Sequence, residues 1–347
     1  MLKILMSDIG RLFERLSSVG TLYLPIEGGG QTAFAPWRAG ADVQLDRVNT
    51  DLSVKGLFFP QTEDIAFFKR EGKKISVLPS SDPDEPFAVF GVRACDVRGL
   101  EVLDKVFLDD PAHMDTFYKG RRENGALIAL ACSSPAETCF CGAFGVDLAE
   151  PSGDVAAWIV DNTLYWEAKT QRGERLTEAV RPVMAEQSGT SAVDASKKAA
   201  RDALAAAPLA SLKDSLSAWG ANDMLTLFSS PLWANLSMSC VGCGTCTYVC
   251  PTCQCYDVQD FDTGHGVTRF RCWDSCMYSD FTLMASGNPR KTQLERFRQR
   301  FMHKLVYFPE KYGGMFSCTG CGRCLSKCPV SMNIAKVIKA VGGVENG

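Results

Sequence analysis

Residues 240–251 read C-V-G-C-G-T-C-T-Y-V-C-P, and residues 318–329 repeat the pattern as C-T-G-C-G-R-C-L-S-K-C-P. Each is Cys-x2-Cys-x2-Cys-x3-Cys-Pro, the spacing that holds a [4Fe–4S] cluster. Three thiolates two residues apart let one loop wrap three corners of a cubane. The small residues between them, Gly242 and Gly244 in one run and Gly320 and Gly322 in the other, let backbone N–H groups approach the sulfurs. The fourth Cys lies one turn further on and points away from its own loop; in two-cluster ferredoxins it serves the other cluster. The pattern therefore assigns one cluster to Cys240, Cys243, Cys246 and Cys328, and a second to Cys318, Cys321, Cys324 and Cys250. Pro251 and Pro329 fix φ just after the last ligand. Structural zinc on paired Cys-x2-Cys units is the competing reading, but zinc has no use for the third and fourth Cys at this spacing.

Composition fits around these runs. A chain of 347 residues should hold about two domains, and a hydrophobic content of 46% is ample for buried cores. The formal net charge of -3 argues against a general nucleic-acid or membrane-surface binder. Sixteen Cys, clustered at metal spacing in a chain this long, point to a reducing compartment and not to a disulfide scaffold. The opening M-L-K-I-L-M-S-D-I-G-R-L-F breaks its apolar run early and has no small-residue cleavage site, so it does not read as a signal peptide. No apolar run is long enough to span a bilayer. The expectation is a soluble cytoplasmic protein.

The first half reads as α/β. Ser7 can cap a helix with Ile9, Leu12, Phe13 and Leu16 on one face. Strands are expected at residues 21–26 and 74–78, with a solvated acidic turn at 80–86. Residues 87–92 and 126–131 are buried-type strands flanking a helix at 96–108, which makes a parallel βαβ unit. Cys95 follows the first of these strands and Cys132 the second, at the carboxyl ends where α/β sheets place ligands. Cys139 and Cys141 come in the next loop, T-C-F-C-G. The four are candidate ligands of a third [4Fe–4S] cluster; buried free thiols are the alternative. A hairpin across Asp161-Asn162 and a helical connector at 190–207 follow. The expected domains are 1–220, α/β with the candidate third cluster, and 221–347, an all-helical ferredoxin-like dicluster domain. The gap between the Cys runs has room for a loop and two helices, marked by Leu294, Phe297, Phe301, Leu305 and Phe308. A last helix carries Ile334, Val337, Ile338 and Val341. The basic helix through Arg296, Arg298, Arg300 and Lys304 reads as a solvated face or as a docking face for an acidic partner. Cys253, Cys255, Cys272 and Cys276 are left over; they suit packing around the clusters, redox-labile thiols, or a further metal site.

Taken together, F-G-V-R-A-C-D-V-R-G-L, C-S-S-P-A-E-T-C-F-C, C-P-T-C-Q-C-Y-D-V, R-C-W-D-S-C and C-T-G-C-G-R-C resemble one family. It contains the iron–sulfur (beta) subunit of cytoplasmic sulfhydrogenases and the A subunit of anaerobic sulfite reductase. Similar subunits occur in flavin oxidoreductases linked to heterodisulfide reductase. The resemblance runs from about residue 57 to the C-terminus. It implies an electron-transfer subunit of anaerobic metabolism, placed between a flavoprotein (FAD-containing, NAD(P)H-oxidising) and a catalytic reductase or hydrogenase subunit. The residues agree on one absence: no Gly-x-Gly-x-x-Gly follows a strand, and no Gly-x4-Gly-Lys loop occurs. Hydride chemistry is thus not expected here, and one-electron chemistry is. A catalytic disulfide or sulfur reductase using a non-cluster thiol, Cys272 or Cys276, is the alternative; no catalytic residue is otherwise assigned.

Overall fold

The computed structural model describes residues 1–80, 85–220 and 223–342. In chain order its first strands are β1 (Leu2–Leu5), β2 (Thr21–Gly28), β3 (Gln31–Pro36), β4 (Thr62–Glu71), β5 (Lys74–Pro79) and β6 (Phe87–Val92). They are followed by β7 (Gly125–Leu130), β8 (Val155–Val160), β9 (Thr163–Ala168), β10 (Ala185–Glu186), β11 (Tyr256–Asp262) and β12 (Val267–Trp273).

Eight strands form one mixed sheet in the order β10-β1-β9-β8-β7-β6-β2-β3. Its centre, β2-β6-β7-β8, is parallel. The reason is in the composition of β6 and β7, F-A-V-F-G-V and G-A-L-I-A-L. Both are apolar throughout and almost wholly buried, as strands covered on both faces must be. One face packs Phe90 and Ile128 against Leu12, Phe13 and Leu16 of helix Ile9–Ser17. The other packs Val89 and Leu127 against Val97, Leu100 and Leu103 of helix Ala94–Phe107. Ser7 does not cap the first helix; it sits in the 3-10 turn Met6–Asp8, ahead of an Asp8 N-cap that makes no side-chain bond. The β8–β9 hairpin turns on Asp161 and Asn162, both at positive φ (47 and 60), as a type I′ turn requires.

The expectation of an all-helical dicluster half is corrected. Residues 256–273 form the hairpin β11–β12, and β12 pairs antiparallel with β4 to give a four-stranded sheet, β11-β12-β4-β5. Strands from both halves of the sequence therefore share one sheet. β11 is exposed along its whole length, so it carries no buried face that its sequence would advertise. What fixes β12 is a buried charge contact. Arg271 Nε donates to Glu63 Oε2 of β4 at 2.7 Å, and its guanidinium also meets Asp115. Trp273 stacks on Phe59 and donates its indole N–H to Phe59 O at 3.1 Å.

The remaining C-terminal elements are helical. Leu212–Gly220, Leu232–Met238, Gln293–Met302 and Ile334–Val341 enclose a core that includes Trp219, Trp233, Phe297, Phe301 and Ile338. Helix Gln293–Met302 opens with a full capping box, Thr292 with Glu295. It then widens into a π-helical turn at His303–Tyr307. Among the described residues no helix is long and apolar enough to cross a membrane. Residues 81–84, within the expected acidic turn, and 221–222, at the expected domain boundary, lie outside the described residues.

Candidate iron–sulfur centres

Cys95, Cys132, Cys139 and Cys141 are all buried and line one small cavity, together with Asn49, Pro135, Leu148 and Cys321. Local structure puts each there. Cys95 lies in the first turn of the helix that follows β6, and Cys132 two residues beyond β7, its N–H bonded to Leu148 O at 2.9 Å. Arg93, itself buried, ties these strand ends to the segment above them. Its guanidinium donates to Ala131 O at 2.9 Å, Leu45 O at 2.6 Å and Arg47 O at 2.7 Å. Asn49 reaches across the cavity and donates to Cys321 O at 2.7 Å, with its amide 3.9 Å from Cys139 Sγ. The Cys95 thiol is 3.8 Å from Asn49 Oδ1.

The second Cys run forms the opposite wall. Phe140 N–H donates to Gly320 O at 2.9 Å, so the T-C-F-C loop lies directly on the C-T-G-C-G loop. Gly320 and Gly322 are at φ 64 and 81, and a Cβ on either would overlap the backbone of Phe140 or Thr138. These two glycines are thus needed for the approach of a second chain segment, beyond any role toward a cluster. Arg323 locks the contact. Its guanidinium is almost fully buried and pairs bidentately with Asp96, Nη1 to Oδ1 at 2.5 Å and Nη2 to Oδ2 at 2.7 Å, while Nε donates to Thr50 O at 2.7 Å.

Burial raises every thiol of this cavity: Cys95 well above its usual value, with Asp96 adding to it, Cys139 to about 11 and Cys141 to about 12. Cys132 is raised for the same reason. The four thiols converge on one buried cavity, a donor set that a metal group would bind by displacing their protons. Among the described residues no three His, Cys, Asp or Glu side chains converge on a single ion. A cubane makes no such demand, since its four thiolates stand around a cluster and not around one atom.

In the dicluster region, Cys240, Cys246, Cys318 and Cys324 pack against the Phe297–Phe301 core. Gly242 and Gly244 are at positive φ, like their counterparts in the second run. The runs differ in exposure. Cys243 is exposed, whereas Cys321, at the matching position, is buried. Cys250 lies close enough to Cys318, Cys321 and Cys324 for its charge to raise all three, although burial is the larger cause in each. Cys328 is half-buried and its thiol donates to Met332 O at 3.4 Å; no hydrogen bond among the described residues joins it to Cys240, Cys243 or Cys246. Of the leftover cysteines, Cys253 contacts Cys250 and Cys255 contacts Cys276, while Cys272 stands apart beside Asp257 and Asp274.

The basic helix does not present a solvated face throughout. Arg300 and Lys304 are buried, 4% and 3% exposed, and no ion pair of the described residues includes either one. Lys304 Nζ donates to Thr252 Oγ1 at 2.8 Å and Ser317 O at 3.0 Å, and lies 3.5 Å from Cys250 Sγ. Arg300 Nε has no hydrogen-bond partner. Lys55, also buried, donates to Cys253 O at 3.0 Å and sits 3.6 Å over the Trp273 ring. Burial pulls its pKa down to about 8 against the pull of Cys253 and Cys250. The sequence carried a signal for the first two: Phe297, Arg300, Phe301, Lys304 and Leu305 follow the i, i+3, i+4, i+7, i+8 pattern of a buried helix face.

Residues 239–332 match the 4Fe-4S dicluster domain family. No solved structure matches the chain. The "Sulfhydrogenase 2 subunit beta" of Pyrococcus furiosus is 32% identical over 344 residues, which are 95% of this chain and 94% of the relative. Homology along nearly the whole length, with both Cys runs inside the matched dicluster region, places the chain in the sulfhydrogenase beta subunit family, as an iron–sulfur electron-transfer subunit.

Proposed function

We propose that the chain is a cytoplasmic relay with three [4Fe–4S] sites, set between a flavin-containing NAD(P)H-oxidising subunit and a catalytic reductase or hydrogenase subunit. The ligand sets are Cys240, Cys243, Cys246 and Cys328; Cys318, Cys321, Cys324 and Cys250; and Cys95, Cys132, Cys139 and Cys141. Bound clusters supply one-electron chemistry. The observation that carries the reading is the position of Cys321, which belongs to the second Cys run and also lines the cavity of the third set. That contact supports a continuous order: the first run with Cys243 at the surface, the second run in the interior, then the α/β cavity. Cys243 offers a point of electron exchange with a docked partner, while the buried thiols keep water from the interior sites. The proximity of Cys250 to Cys318, Cys321 and Cys324 supports its ligation of the second run's cluster, and the assignment of Cys328 to the first rests on the spacing of the runs.

The isolated full chain, reconstituted anaerobically, is expected to be brown and to bleach with dithionite, with no reduction by NADH or NADPH. Adding an NAD(P)H-oxidising flavoprotein that co-purifies with it should restore nicotinamide-driven bleaching. Fast reduction of the pure chain by a nicotinamide, with flavin retained, would contradict the relay.

A further inference from the structure

The dicluster region holds a buried ammonium that the protein does not neutralise. Lys304 is 3% exposed, and its three donors reach Thr252 Oγ1, Ser317 O and the Cys250 sulfur. No carboxylate within the described residues pairs with it. The hydroxyl and the carbonyl solvate a cation but do not cancel its charge, and a buried charge needs an opposite one. The side-chain contact capable of carrying negative charge is Cys250.

The surroundings are arranged to hold it there. Thr252, fully buried, accepts from Lys304 and donates to Ser317 O at 2.9 Å, and its oxygen is 3.1 Å from Cys250 Sγ. Ser317 N–H in turn donates to Lys304 O at 3.1 Å. Ser317 directly precedes Cys318, so the ammonium lies between the end of the first Cys run and the start of the second. Lys304 is also on the π-helical turn His303–Tyr307, a local widening of the kind that often marks functional positions.

We propose that Lys304 sets the reduction potential of the cluster held by Cys250, Cys318, Cys321 and Cys324, raising it by stabilising the added electron. This rests on the ligand assignment proposed above. Reduction adds one negative charge to a group already ligated by four thiolates, inside a dry core where a fixed positive charge acts at short range. Lys304 touches a sulfur and not the redox centre, so it is a positioning residue. In the α/β cavity the buried Arg323 is paired with Asp96, while the buried Arg93 donates to backbone carbonyls.

The test is EPR-monitored redox titration of the full chain and of three variants. Lys304→Gln removes the charge and keeps a donor for Ser317 O; Lys304→Met removes both; Lys304→Arg keeps the charge. Cys318→Ala, measured in parallel, identifies the feature that belongs to this cluster. In Lys304→Gln and Lys304→Met that feature should shift to lower potential by at least about tenfold in its reduction equilibrium, about 59 mV for a one-electron couple. The other features should stay in place, and Lys304→Arg should recover most of the shift. If both neutral variants lose the cluster and Lys304→Arg retains it, the charge serves assembly of the cluster and the proposal is overturned. A feature that Cys318→Ala removes but the neutral variants leave unmoved overturns the proposal alone. If Cys318→Ala removes no feature, the ligand assignment falls and the proposal with it.

Discussion

The Cys139→Ala/Cys141→Ala chain, prepared anaerobically at full length, is expected to bind about eight irons where the unsubstituted chain binds about twelve. The pair is separated by Phe140, which is fixed on both sides. Its N–H is bonded to Gly320 O, and its ring is buried with the helical core. The loop should therefore keep its place when two small side chains are shortened, and the loss should be one of ligands. The eight cysteines of the dicluster are untouched, so their iron should remain. Cys321 lines the shared wall, so the EPR spectrum of the second cluster should change in shape while its intensity stays. Iron and sulfide assays, with spin integration after dithionite reduction, read the result. Twelve irons in the double variant, or eight in the unsubstituted chain, would remove the third site.

Arg323→Met should destabilise the fold far more than the loss of an exposed ion pair would. Arg323 and Asp96 are 2% and 1% exposed and pair through two short bonds across 227 positions of sequence. Substitution leaves Asp96 buried with no partner, beside Cys95. Breaking such a pair from one side costs about 3–5 kcal/mol. The cost falls on the contact between the α/β half and the second Cys run, because Arg323 also holds Thr50 O. A denaturant melt followed by tryptophan fluorescence should lose its midpoint by a corresponding amount. The double variant Asp96→Leu/Arg323→Met should recover part of it, since an apolar pair leaves no buried charge. A single variant within about 0.5 kcal/mol of the unsubstituted protein would show that the pair is worth no more than an exposed one.

Much of this was legible in the residues, and the gaps have physical causes. The two Cys runs announce themselves because cubane ligation imposes a rigid spacing. β6 and β7 were readable because a strand buried on both faces must be apolar throughout. The hairpin β11–β12 was not, because β11 has no buried face and the strand that β12 pairs with, β4, lies about 200 residues earlier in the chain. Alternation in Val267–Trp273, with Arg271 facing inward, was masked by the charge of that Arg, whose partner Glu63 cannot be inferred locally. The same masking hid Arg300 and Lys304. Their positions obey the periodicity of a buried face, but cations there read as surface unless something anionic is known to lie opposite. Asn49 gave no signal at all, since its importance arises only when residues 49, 139 and 321 meet.

A stepwise reductive titration of the full chain tests the central claim most directly. With three one-electron sites, dithionite should deliver three electrons per chain, with visible bleaching proceeding to the third equivalent. Uptake that stops at two, with no further change in the spectrum, would contradict a relay that runs from the surface at Cys243 into the cavity of Cys95, Cys132, Cys139 and Cys141.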